Sequence, residues 1–214
     1  IHELENSALR TQMNPHFIFN CLNTINAFVQ KNDRTNAGLM ISKFSKLIRM
    51  ILNHSKEKRI SLKEELDALE LYIQVESTRF ESKFEYQINI APGIYVEGIE
   101  FPSLIFQPFV ENSILHGLLP LNKKGLLTIS IIKVETHLLC IIEDNGIGRD
   151  ASKKLRPYQS HQKSYGIEIT LKRIELFNQE HKFPGIVNII DLKHPDGSAA
   201  GTRIELPIAL SFSF

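Results

Sequence analysis

The chain has 214 residues, of which 43% are hydrophobic and 23% charged, with a formal net charge of +1. That balance supplies a sizeable core, excludes global disorder, and gives no electrostatic case for nucleic acid or an anionic membrane surface. The two cysteines, Cys21 and Cys140, lie in apolar surroundings and read as buried, reduced thiols. No apolar run approaches the ~18 residues that span a bilayer, and no signal peptide is recognisable. The first residue is Ile, so the sequence reads as a fragment whose sensor or membrane region lies upstream.

Residues 2–31 are predicted to form one helix, because Leu9, Met13, Phe17, Cys21, Ile25 and Phe28 recur three or four apart. Gln12, His16, Asn20 and Asn23 form a polar stripe on another face. Pro15 removes one intrahelical hydrogen bond and should kink or loosen the helix beside His16. After Lys31-Asn32-Asp33 a second helix is expected over 34–53, with Leu39, Ile41, Phe44, Leu47, Ile48, Ile51 and Leu52 apolar. Two helices joined by a short turn make an antiparallel hairpin. Their apolar positions exceed what one hairpin can bury, which predicts a homodimer built on a four-helix bundle.

Ser61-Leu62-Lys63-Glu64 is a capping-box pattern opening a third helix through Arg79. Beyond it the texture is α+β: strands are expected at 84–90, 126–134, 138–143, 186–193 and 202–207, with helices at 103–118 and 166–181. Residues 138–143 are almost continuously apolar, as in a central strand. Residues 149–165 are polar, Lys-rich and non-periodic, and read as a long mobile loop.

Five features carry chemistry. Imidazole can act as a nucleophile near neutral pH, and His16 presents one on a polar helix face. Glu143-Asp144-Asn145-Gly146-Ile147-Gly148 follows directly on the apolar strand. A carboxylate at a strand end suits an exocyclic amine such as adenine N6, and glycines let the backbone approach a flat base. An ordinary turn explains the same residues equally simply. Gln107-Pro108-Phe109-Val110-Glu111-Asn112-Ser113-Ile114-Leu115-His116-Gly117 sets Glu111, Asn112 and His116 in an apolar helix. An Asn oxygen suits Mg²⁺ where phosphates fill the remaining positions; a polar helix face ending in a Gly stop is the plainer reading. Ser164-Tyr165-Gly166-Ile167-Glu168-Ile169 places Gly166 at an expected helix entry, where free N–H groups favour phosphate. Gly201-Thr202 opens the last strand.

Their order and spacing resemble the LytS/YehU type of sensor histidine kinase, with the Bergerat ATP-binding fold of the GHKL superfamily. Gln12 to Asn20 is similar to the phosphoacceptor block, Ile60 to Leu66 and Tyr72 to Phe80 to the linking helix, Gln107 to Gly117 to the N box, Asp144 to Gly148 to the first glycine box, and Gly201-Thr202 to the closing strand. The resemblance implies an α+β architecture: a dimerisation and histidine-phosphotransfer hairpin over 1–58, then a catalytic ATP-binding domain over 59–214 that includes the linking helix 61–80. It implies ATP and Mg²⁺ as cofactors. His16 would accept the γ-phosphoryl group, Asn112 would hold Mg²⁺, Asp144 would bind the adenine amine, and Gly146 and Gly148 would shape the pocket. His116 belongs to the same nucleotide-binding set. Gly166 would hinge a lid and Thr202 would support the adenine contact.

The implied partners are a second copy of the chain and a response-regulator receiver domain, of LytTR type, with no direct nucleic acid. The implied place is the cytoplasmic side of a bacterial inner-membrane sensor. Glu111, beside Asn112, is the candidate to accept or orient the imidazole proton. Asn20, one turn after His16, is the candidate to orient a water for dephosphorylation.

Two departures from the family pattern stand out: Glu168 replaces a glycine and Leu115 replaces a lysine. Phe17 follows His16, as is usual in this family, where many other histidine kinases carry an acid, so that neighbour is no base. Lys153, Lys154, Arg156 and Lys163 are the available substitute cations. Glu168 and Leu115 keep open a nucleotide-poor dimeric scaffold, a pseudokinase, as the alternative. A GHKL ATPase without a histidine acceptor would have no need of the hairpin.

Overall fold

The computed structural model describes residues 15–155 and 160–212. Helices α1 (Pro15–Gln30) and α2 (Arg34–His54) form the hairpin. Asn32, with φ 57°, makes the turn, and Asp33 caps α2 by accepting from the Asn36 N–H at 3.1 Å. Phe17 and Cys21 are buried on α1, and Met40, Leu47 and Ile51 on α2. Ile25 and Phe28 continue the α1 seam against the core. The expected helix 2–31 is thus described from Pro15 onward. Leu9, Gln12 and Met13, and a kink on the N-terminal side of Pro15, lie outside the described residues.

Strand β1 (Arg59–Ser61) leads into α3 (Leu62–Arg79). The capping box forms as the sequence requires: the Glu64 N–H donates to Ser61 Oγ at 3.2 Å and the Ser61 N–H donates to Glu64 Oε2 at 2.8 Å. Then come β2 (Phe84–Ile90), a 3₁₀ turn (Val96–Gly98), β3 (Ile99–Pro102), α4 (Gln107–Asn112) and a π-helical turn (Ser113–Leu118). The hairpin β4 (Gly125–Val134)–β5 (His137–Asp144) is followed by α5 (Arg149–Leu155), α6 (Ser160–Glu180), β6 (Asn188–Lys193), β7 (Ala199–Ala209) and β8 (Ser211–Phe212).

The large sheet has the order β2-β4-β5-β7-β6, parallel between β2 and β4 and antiparallel elsewhere. A small antiparallel sheet has the order β1-β3-β8. Alternate residues of the large sheet, including Leu127, Ile129, Ile131, Leu138, Cys140, Ile142, Leu206 and Ile208, face the core that α3, α4 and α6 complete with Tyr72, Ile73, Phe109, Val110, Ile174 and Phe177. Both cysteines are free and buried; burial pushes the Cys21 thiol up to about 12 and raises that of Cys140 as well.

Four expectations need correction. The helix expected over 103–118 begins only at Gln107, because 103–106 is a turn with Leu104 at φ 54°, and its second half widens to π pitch. The expected mobile loop 149–165 is helical at α5 and again from Ser160; Arg149 starts α5 with its guanidinium paired to Asp191 at 2.6 Å. Gly166 therefore lies inside α6 as its seventh residue, not at a helix N-terminus. Strand β5 is central but buried on one face only, its inward residues alternating with half-buried ones. No helix among the described residues is long and apolar enough to cross a membrane.

Candidate functional site: the Asp144 pocket and the His16 helix

Asp144 ends β5, paired with Leu127 of β4 on one side and Thr202 of β7 on the other. Its side chain is buried, and burial is the main reason its carboxyl is raised above the usual aspartate range, against the lowering effect of donors from Gly146, Ser113 and Thr202. The Gly146 N–H donates to Oδ1 at 2.9 Å. Asn145 ties the loop down: its Oδ1 accepts the Leu126 N–H at 2.8 Å.

The glycines of the pocket are required by contact, not by pattern alone. A Cβ on Gly146 would lie 2.4 Å from the Gly117 carbonyl carbon, and one on Gly117 would lie 2.8 Å from Asp144 Oδ1. The Ile147 N–H donates to the Gly117 carbonyl at 3.1 Å, so the N box and the acid–glycine loop are joined backbone to backbone. Gly148 (φ 77°) and Gly201 (φ 123°) adopt left-handed conformations that suit glycine, and a Cβ on Gly201 would strike the Asp144 carbonyl. Four of the predicted residues therefore converge, Asp144, Gly146, Gly148 and Thr202, and Gly117 and Ser113 join to them the segment bearing Asn112 and His116.

Asn112 is the last residue of α4 and half-buried, with His116 on the following π turn. A neutral amide oxygen is a donor suited to a magnesium ion bound mainly by phosphate. No cluster of three or more His, Cys, Asp or Glu able to hold a metal alone occurs among the described residues. Leu115 packs against the core, so its position is an apolar one in this chain. Glu168 is exposed on α6, as are Lys153 and Lys154 on α5; Arg156 and the Lys163 side chain lie outside the described residues.

His16 is exposed on α1, and Gly166 lies within α6. The Asn20 amide nitrogen lies 3.1 Å from His16 Nδ1 and 3.3 Å from Nε2. An amide nitrogen is a donor only, so the ring nitrogen it bonds presents a lone pair. Phe17, next to His16, is buried with its ring 5.3 Å from that of Tyr72 on α3. Glu111 is close enough to α3 that its charge contributes to raising both Tyr72 and Glu76.

Sequence reasoning missed Glu76, a buried carboxylate that accepts from Arg79 Nη1 at 2.7 Å and whose Oε2 has no hydrogen-bond partner among the described residues. Burial, then the Glu111 charge, outweigh Arg79 and push its carboxyl up to about 7. It also missed Glu65, whose carboxylate is buried beneath the N box. The one available signal was that both stand on the inward face of α3 among Leu62, Leu66, Leu69 and Ile73.

The family described as Histidine kinase matches residues 4–84 of the chain. Sensor protein LytS of Oceanobacillus iheyensis is 29% identical over 197 residues, covering 92% of this chain and 33% of that protein. Sensor histidine kinase YpdA of Escherichia coli is 34% identical, covering 70% and 26%. Sensor histidine kinase/phosphatase LytS of Staphylococcus aureus is 31% identical, covering 72% and 26%. The chain thus spans about a third or less of the length of these relatives. Among solved structures, the histidine kinase domain of the Erythrobacter litoralis EL346 blue-light activated histidine kinase has the same fold at 10% identity, with a TM-score of 0.52 over 89% of this chain and 94% of that one. The chain belongs to the histidine kinase family, among sensor kinases of the LytS/YehU type.

Proposed function

We propose that the chain is the kinase portion of a two-component sensor, an ATP-dependent protein histidine kinase that autophosphorylates on His16 and passes the phosphoryl group to a receiver-domain aspartate. The observation that carries this reading is the close packing of Gly117 on Gly146 around buried Asp144, whose Oδ1 accepts the Gly146 N–H. Asp144 binds the adenine amine, Gly146, Gly148 and Thr202 shape the base site, and Asn112, with His116 one turn on, serves the phosphate–Mg²⁺ side. Residues 59–214 form a Bergerat-type domain in this reading, and residues 1–58 the phosphotransfer hairpin.

Phosphoryl transfer asks mainly for positioning and charge neutralisation. His16 attacks as the neutral imidazole, through a nitrogen lone pair, and forms an N–P bond as the bond to ADP breaks. Asn20 orients the ring. Glu111, on the side of α4 that faces Tyr72 and so the Phe17 anchor, takes or orients the imidazole proton. Phe19, Leu22 and Val29 of α1 and Leu39, Ile41 and Leu52 of α2 are exposed apolar residues. A second copy covering them makes the four-helix bundle of a homodimer. The receiver partner is of LytTR type, and the chain serves a membrane sensor from the cytoplasmic side.

Incubation with γ-labelled ATP tests the reading. Label should appear on the protein in acid-labile, base-stable form, and should vanish in His16→Gln and in Asn112→Ala. Label surviving in His16→Gln removes His16 as the acceptor; unchanged label in Asn112→Ala removes Asn112 from the mechanism.

A further inference from the structure

The turn that launches α4 is gripped by three elements that no motif assigned to the site. Glu65, in the first turn of α3, is 1% exposed. Its Oε2 accepts the Leu104 N–H at 2.6 Å, and its Oε1 accepts the N–H groups of Ile105 at 2.8 Å and Phe106 at 3.0 Å. Three successive backbone donors converging on one carboxylate form an anion-binding nest, and Leu104 reaches the required conformation with φ 54°. A buried carboxylate is costly unless it is hydrogen-bonded to this degree. Arg173 of α6 grips the same turn from the other side, donating from Nη2 to the Ser103 carbonyl at 2.6 Å and to Ser103 Oγ at 3.0 Å. Ser103 Oγ in turn donates to the Glu57 carbonyl at 2.6 Å, just past the end of the hairpin.

The six residues of α4 are too short to absorb a displacement: one and a half turns, about 9 Å, separate the turn from Asn112. Any shift of residues 103–106 arrives at Asn112 nearly undiminished. The middle of the same α3, about two turns on from Glu65, carries Tyr72, against which the Phe17 ring beside His16 packs. We infer that Glu65 is the positioning residue of the N box: by holding the 103–106 turn together with Arg173, it registers Asn112 against the hairpin and α6. This rests on the metal-side role given to Asn112 above.

Outer-shell positioning partners of this kind typically contribute about 10- to 100-fold to metal affinity. Calorimetric titration of the full chain with Mg–ADP, and with ADP in the presence of EDTA, separates positioning from general support. Glu65→Gln should lose about ten-fold or more of the Mg²⁺-dependent enhancement of ADP binding, while metal-free ADP, held through Asp144, binds as in the unaltered chain. Asn112→Ala in the same titration should lose the enhancement too. Equal loss of both nucleotide forms in Glu65→Gln, or no loss of either, overturns the inference while leaving the Asn112 reading in place. An Asn112→Ala variant that keeps the enhancement overturns the metal reading, and this inference with it. If Glu65→Gln does not fold by circular dichroism, Arg173→Lys decides. That variant keeps the charge and removes the fork on Ser103, and it must show the same selective loss; if its enhancement is unchanged, the inference falls.

Discussion

Glu76→Gln should change the pH dependence of folding stability in a calculable way. The Glu76 side chain is 1% exposed, and its carboxyl rises from 4.5 to about 7, chiefly because burial penalises the charged form. A difference of that size between folded and unfolded chains corresponds to about 3 kcal/mol. The sign follows from which state holds the proton. Below pH 4.5 both folded and unfolded chains are protonated at this position and it adds no penalty. Between 4.5 and about 7 the unfolded chain releases the proton while the folded chain keeps it, so stability falls as pH rises; above about 7 the whole penalty is present. Glutamine is neutral throughout. The stability of Glu76→Gln relative to the unaltered chain should therefore climb by about 2–3 kcal/mol between about pH 5 and about pH 8. Losing the charged partner of Arg79 adds an offset, but the offset does not supply this slope. Urea melts of both proteins across that range measure it. Stability curves that stay parallel to within about 0.5 kcal/mol would refute a buried, proton-retaining Glu76.

Two further outcomes bear on the glycines. Gly146→Ala places a methyl 2.4 Å from the Gly117 backbone, which cannot rotate aside. An overpacking cost of about 1–3 kcal/mol directed at that junction should weaken Mg–ADP binding by about 5- to 150-fold in calorimetry, and unchanged affinity would mean the junction is not part of the nucleotide pocket. Gly166 has nothing within 4 Å of an added Cβ among the described residues and lies within α6, so Gly166→Ala should raise stability by up to about 1 kcal/mol in chemical melts. A loss of stability would show that the position is not held in helix.

The elements legible in the sequence were those whose signal is local and repeated. The α1 seam through Phe17, Cys21, Ile25 and Phe28 and the Ser61–Glu64 cap read out directly, because periodicity and capping are written in neighbouring residues. The β4–β5 hairpin was legible for the same reason. The strands β1, β3 and β8 are four residues or fewer, too short to show a period, and exist because each pairs with a distant segment. Residues 149–155 are polar on every face and carry no amphipathic signal, yet form α5, with Arg149 at its start pinned to Asp191. The juxtaposition of Asp144, Gly146 and Thr202 was legible because the first two are contiguous in the motif, and Thr202 falls opposite Asp144 in the strand register. Glu65, Glu76 and Arg173 were not. Their roles depend on partners up to 70 residues away, and in one dimension each is only another charge on a helix.

The π-helical turn Ser113–Leu118 makes this region sensitive to length rather than to composition. Its N–H groups reach back five residues, as from Leu119 to the Ile114 carbonyl at 3.0 Å, so the turn holds more chain than an α-helix of equal rise. Because the wide turn already holds one residue more than α pitch needs, a residue added between Asn112 and Gly117 has no slack to enter and would carry Gly117 about 100° around the helix axis, away from Gly146. A few residues on, at exposed Asn122–Lys124, added chain would loop harmlessly into solvent. Single-residue insertions and deletions stepped along this segment would therefore draw the boundary of the pocket by spacing alone, with every side chain retained.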